Sequence, residues 1–211
     1  MKIVLRVLLL AAIVLLTYMC VQSIRNVTEF QKLHKERQAA IVERLIEIRT
    51  AQVGFRNYSG TRVFASSFDE LKQFLNEGRI PFLIKEGDLT DAQLKAGMTE
   101  QEAIKQGLIR RDTTWILAKD TLLGKNYNVA SINKVPGFEQ VTFALDTATL
   151  TSSAGYTVPV FEASVSYDVY LGDLDRQQLI NLKDQQQKTR RFLGLRVGSV
   201  TEINNNAGNW E

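Results

Sequence analysis

The amino-terminal run sets the strongest limit on this chain. From Ile3 to Val21 every residue is apolar except Arg6, Thr17 and Tyr18, and a bilayer core takes roughly 20 residues of helix to cross. The uninterrupted stretch begins at Val7. This pattern predicts a transmembrane signal anchor over residues 1–22, with Val7, Leu8, Leu9, Leu10, Ile13, Leu15 and Leu16 facing lipid. Arg6 can reach back to the headgroups while its stem stays in the apolar zone. The run closes on Thr17, Tyr18, Met19, Cys20, Val21 and Gln22, without the small-residue site at which a signal peptide is cut, so the segment is expected to be retained. Cys20 raises lipidation as the alternative, but large Met19 stands where a lipobox carries a small residue. Lys2, Arg6 and the amino terminus place that end inside by the positive-inside rule, with the remainder exported.

The next segment has the period of a helix. Ser23 to Asn57 contains no proline, and its only glycine is Gly54. Ile41, Leu45, Ile48 and Phe55, with Gln52 between, recur in steps of four and three, which makes one packing face. Upstream, Val27, Phe30 and Leu33 form a poorer stripe among Glu29, Lys32, Lys35, Glu36 and Arg37. Residues 23–57 therefore read as a stalk and packing helix, solvated above and packed below. Self-association through this face, giving a homo-oligomer, is one reading; a helix lying on its own domain is the other.

Beyond Asn57 the texture is mixed. Ser67 precedes Glu70, and Thr99 precedes Glu102, at the spacing of capping boxes, so short helices start there and end near Gly78 and Gly107. Ile80 to Lys85 reads as a strand held to an edge by Pro81. Thr114 to Leu117, Val141 to Leu150 and Val158 to Leu171 read as strands, the last two forming a hairpin through Ser152, Ser153 and Gly155. A polar helix from about Leu174 to Arg190 and a strand from Leu195 to Val200 complete the order. The expected fold class is α+β: a transmembrane helix continuing into a stalk helix, packed on a small, mainly antiparallel sheet. Its divisions are the anchor (1–22), the stalk (23–57), an exported periplasmic domain (58–203) and a polar tail (204–211).

Chemistry-bearing patterns are sparse. The net charge is +3 with both signs interspersed, which makes no case for nucleic acid. The sole cysteine lies in the apolar run and the sole histidine, His34, on the stalk, where it reads as a solvated residue. Glycines occur singly, without a phosphate loop or dinucleotide fingerprint. Asp88, Asp91, Glu100, Glu102, Asp173 and Asp175 read as caps and loop residues, the alternative being an enzyme whose fold brings two of them together as a carboxylate pair. The expectation is a non-enzyme with no catalytic residue, cofactor or metal. In the tail, Asn206 and Trp210 read either as a docking peptide or as an end folded on its own domain. Thr113, Thr121 and Thr147 each follow an aspartate and stand before a threonine or apolar residue, a pattern resembling the O-glycosylation sites of exported Bacteroidota proteins.

The block AAIVERLIEIRTAQVGFRNYSGTRVFASSFDELKQFL, behind an apolar helix, resembles the helix and first loop of pilins and pseudopilins. That resemblance implies a long helix leaving the membrane to pack on a small sheet. Over most of the chain, RLIEIRTAQ with SFDEL, PVFEA and the ending RVGSVTEINNNAGNWE resemble a group of single-pass envelope proteins of Bacteroidota to which no reaction is assigned. The expected role is a structural subunit of an envelope complex in the bacterial inner membrane, a proton-driven motor, a secretion machine or a pilus-like assembly. Its partners would be the membrane and other envelope proteins. The alternative is a periplasmic ligand-binding or sensing module, with a pocket lined by aromatics such as Trp115, Tyr127, Phe143 or Tyr167.

Overall fold

The computed structural model describes residues 2–211 apart from Asp91, Ala92, Leu94 and Ala96. It is α+β, with one long amino-terminal helix and small antiparallel sheets. The helix, α1, is Lys2–Tyr58. The chain divides into two compact units: Met1–Arg49 with Ile132–Glu211, and Thr50–Ser131. The unit boundary thus falls inside α1 and not after the helix.

In the first unit, α1 carries a buried stripe of Phe30, Ile41, Leu45 and Ile48, the last three with no exposed surface. The face 41–55 is therefore buried within the chain, Phe55 included at 4 % exposure, as in the reading of a helix lying on its own domain. A hairpin of β3 (Lys134–Val135) and β4 (Phe138–Thr142) precedes a three-stranded antiparallel sheet in the order β5 (Ala144–Thr151), β6 (Thr157–Ser166), β7 (Gly194–Gly198). Phe161, Ala163 and Val165 of β6, with Leu195 and Val197 of β7, form the core face.

Two of the expected strands differ. The run Val141 to Leu150 is broken at Phe143, whose ring is buried and whose N–H bonds Asn133 O at 2.9 Å, so its halves enter different sheets. The run Val158 to Leu171 stops at Ser166, where α5 (Tyr167–Leu171) begins. Tyr167, Tyr170 and Leu171 are the buried residues there, a helical spacing that overrides the short alternation. Helix α6 (Arg176–Lys188) is capped by Asp175, whose carboxylate accepts from the Gln178 N–H at 2.9 Å.

The second unit starts with the last turns of α1, where Ala51, Gln52 and Phe55 are buried. Helix α2 (Phe68–Glu77) begins at the Ser67 cap and buries Leu71, Phe74 and Leu75, with Phe74 edge-on to Phe55. Strands β1 (Arg79–Glu86) and β2 (Arg110–Leu117) form a two-stranded ribbon. Between them, α3 (Glu100–Lys105) opens with the full Thr99–Glu102 capping box. Helix α4 (Ala118–Leu122) and a 3-10 turn, Val129–Ser131, complete the unit.

Candidate functional site

Three regions of the molecule bear on function. The first is the apolar part of α1. Among the described residues it is the one helix long and apolar enough to cross a membrane, and none of that window is buried. Leu9, Leu10, Ile13, Leu15 and Leu16 are all at least half exposed. Val7 and Leu8 lie within α1, but their side chains are outside the described residues.

The second is the junction of α1 with α5, which sequence reasoning missed. His34 and Arg37 continue the Ile41 stripe toward the amino terminus in steps of three and four, so both face inward. His34 is not a solvated stalk residue. Its ring lies 6.1 Å from Phe30, 6.0 Å and edge-on from Tyr167, and 6.4 Å from Tyr170. Its Nε2 is enclosed without a hydrogen-bond partner, as is the hydroxyl of fully buried Tyr170. Burial holds the imidazole below the ordinary histidine range and raises both phenols, a nearby Arg191 charge partly offsetting this at Tyr167.

One turn on, Arg37 closes the junction. Its Nη1 donates to Tyr170 O at 2.6 Å and to Asp173 Oδ1 at 2.5 Å, and its Nη2 to Asp173 Oδ2 at 2.8 Å. The guanidinium also lies 5.2 Å from the centre of the Phe138 ring. The Arg37 hydrogen bond holds the Asp173 carboxyl below the usual range, and Asp173 reciprocally raises Arg37. The signal for this junction was position: residues 30, 34, 37 and 41 share one helix face, whatever their polarity.

The third is the surface of the ribbon. Phe82, Leu83 and Trp115 are each more than half exposed, and Ile84 is 38 % exposed. Pairing sets Phe82 opposite Thr114 and Pro81 opposite Trp115, so apolar side chains project from both faces.

Several other predicted positions take structural roles. Residues 204–211 are no free tail. Ala207 N–H bonds Asn204 O across a turn whose central residues, Asn205 and Asn206, have φ of 54° and 60°. The chain then returns along β7: Gly198 N–H bonds Ala207 O, Asn209 N–H bonds Arg196 O, and Gly208 bridges Val197. Arg49 binds Glu211 at 2.6 Å and reaches the Asn206 carbonyl at 3.4 Å, while the Trp210 ring lies against Gly208. Thr113, Thr121 and Thr147 are all exposed. Of the proposed aromatic lining, Trp115 and Tyr127 belong to the second unit, while Phe143 and Tyr167 are buried in the core of the first. Among the acids, Asp173 binds Arg37, Asp175 caps α6 and Glu102 closes the α3 capping box; Asp91 lies outside the described residues. Among the described residues no group of three His, Cys, Asp or Glu side chains could hold a metal ion.

Compared with known proteins, the chain matches no family model, no curated protein and no solved structure.

Proposed function

We propose that the chain is a non-enzymatic, membrane-anchored structural subunit of a cell-envelope complex. In this reading α1 crosses the inner membrane once, its amino terminus stays inside, and both units stand in the periplasm. The carrying observation is α1 itself: an unbroken helix whose apolar turns expose lipid-compatible side chains while its later turns are locked into a folded core. A buried second half fixes the direction of the helix relative to the first unit, which suits a scaffold that sets the position of other parts. The resemblances to pilins and to single-pass envelope proteins of Bacteroidota support the same compartment.

The ribbon supplies the protein-binding surface of this reading, because apolar side chains exposed together mark contact sites. It replaces the 41–55 face and the tail, which the chain uses internally. The machine served is a proton-driven motor, a secretion apparatus or a pilus-like assembly.

The test is extraction of the full-length protein from native membranes in mild detergent, with mass spectrometry of its amino terminus and of co-purifying proteins. An intact terminus with stoichiometric membrane partners is expected. A protein that emerges alone overturns the scaffold reading in favour of a sensing or binding module. A terminus at lipid-bearing Cys20 overturns the transmembrane anchor.

A further inference from the structure

The junction of α1 with α5 holds a histidine where a charge would be poorly placed. His34 is the only histidine in the chain. It sits among Phe30, Tyr167 and Tyr170, and its Nε2 and the Tyr170 hydroxyl are both enclosed and unpartnered. Buried polar atoms left without partners are rare, and each costs free energy that the surrounding packing must offset.

The charged groups of the elements around it offer no counter-ion. On α1, Glu29 is exposed and Arg37 is a cation one turn away. On α5, Asp168 is bound by Lys183 at 2.8 Å, and Asp173 beyond it is taken by Arg37. Asp175 caps α6, whose first residue, Arg176, is exposed. On β4, Glu139 is exposed. Arg191 adds positive charge near Tyr167. Each of these carboxylates is either committed elsewhere or solvated. Only the faces of the three aromatic rings could favour an imidazolium.

We infer that Phe30, His34, Arg37, Tyr167 and Tyr170 form an acid-sensitive latch: neutral His34 lets α5 close on α1, and protonation of His34 releases α5 from it. The sign comes from linkage. Burial without an acceptor lowers the folded-state value, in line with the direction at His34. The released imidazole, near 6.5, takes up its proton first. Closure is therefore complete above about pH 6.5 and is lost as pH falls through the folded value. The equilibrium for opening rises tenfold for each pH unit separating the two values. Arg37 and Asp173, both fully charged over this range, hold the far side of the latch and do not respond. The latch sits on the first packed turns after the apolar run, so its opening would loosen the Tyr167 end of α5 from that part of α1 while Arg37 keeps the Tyr170 carbonyl and Asp173 tethered.

Because there is one histidine, one resonance reports the site. The full chain, labelled at histidine and held in detergent micelles, is titrated by NMR from pH 8 to pH 4.5, with amide exchange of Tyr167–Leu171 followed over the same range. The imidazole is expected to titrate below 6.5, and protection across α5 to fall at the same midpoint by a factor matching the displacement. His34→Phe is expected to keep α5 protected throughout; His34→Gln, neutral and of polar character, serves the same purpose where phenylalanine proves too large. A midpoint at or above 6.5 overturns the latch, since the rings would then be stabilising the cation. Protection that ignores pH, or that falls equally in the two variants, overturns it as well.

Discussion

The side chain of Gln52 satisfies both backbone groups of Ala65: its Oε1 accepts from the Ala65 N–H at 2.9 Å and its Nε2 donates to the Ala65 carbonyl at 3.0 Å. Both residues are fully buried. The pair ties the last turns of α1 to the extended segment that leads into α2. Gln52→Leu keeps the volume but strands a buried donor and a buried acceptor, at about 1–3 kcal/mol for each group left unpaired. A loss of about 2–6 kcal/mol is expected in urea unfolding of the second unit, read by the fluorescence of Trp115 in a Trp210→Phe background. Gln52→Glu, which loses the donor and sets a buried carboxylate against the Ala65 carbonyl, should cost at least as much at neutral pH. A wild-type midpoint for Gln52→Leu would show that water reaches Ala65.

Arg37 and Asp173 present a contrasting case. Asp173 is half exposed, so the ion pair itself is worth under about 1 kcal/mol after screening. Arg37 also donates to the Tyr170 carbonyl, and that bond is lost only when the arginine is replaced. Arg37→Met is therefore expected to cost about 1–3 kcal/mol and Asp173→Asn distinctly less. The carboxyl is held below its ordinary range, so its contribution is complete above about pH 4 and is lost as pH falls through the folded value. The stability difference between wild type and Asp173→Asn should be flat from pH 7 to about pH 5 and shrink in stronger acid. A difference that grows on acidification would contradict the pairing.

Gly54 is a helical glycine with a packing reason. In an exposed helix, Gly→Ala stabilises by about 1 kcal/mol. Here a Cβ would run into the Leu122 side chain. Gly54→Ala should therefore destabilise the second unit by about 1–3 kcal/mol, the usual cost of overfilling a packed site. Adding Leu122→Ala should recover part of that loss, because the space it opens is the space the new methyl needs. Stability equal to or above wild type in the single variant would mean that Leu122 moves aside freely.

The features legible in the sequence were mostly local. Ser67 and Thr99 cap their helices as their spacing to Glu70 and Glu102 suggested, the box closing in full only at Thr99 because the Glu70 carboxylate turns to the Ser66 N–H. The long helix was legible because its stripe persists over several turns. The inward placement of His34 and Arg37 was not, because polarity argued for solvent while the period argued for burial. Arg37's partners, Tyr170 and Asp173, lie more than 130 positions away. The alternation at Tyr167–Leu171 is too short to separate strand from helix, and the choice fell to which side chains the core could bury. The apolar ribbon was readable as strands, but its exposure depends on what the fold leaves uncovered.

The return of the carboxyl terminus along β7 gives the last prediction. Asn209 reaches back with its amide: Oδ1 accepts from the Arg196 N–H at 3.1 Å and Nδ2 donates to Gly194 O at 2.9 Å, while its own N–H bonds Arg196 O. The segment thereby covers an edge that would otherwise present unpaired backbone groups. The turn before it places Asn205 and Asn206 at positive φ, a conformation asparagine tolerates better than most residues. Asn209→Ala removes two bonds and leaves the Arg196 N–H without its acceptor, so β7 amides should exchange faster by about one to two orders of magnitude, about 1–3 kcal/mol. Asn206→Val, which a β-branched side chain makes costly in that turn, should loosen the same amides. The ion pair of Arg49 with Glu211 is partly exposed and should matter less than either. If amide exchange in β7 is the same in both variants as in wild type, the terminal segment does not seal the sheet edge in solution. If only Asn209→Ala accelerates it, the asparagine amide alone holds the strand and the turn adjusts passively.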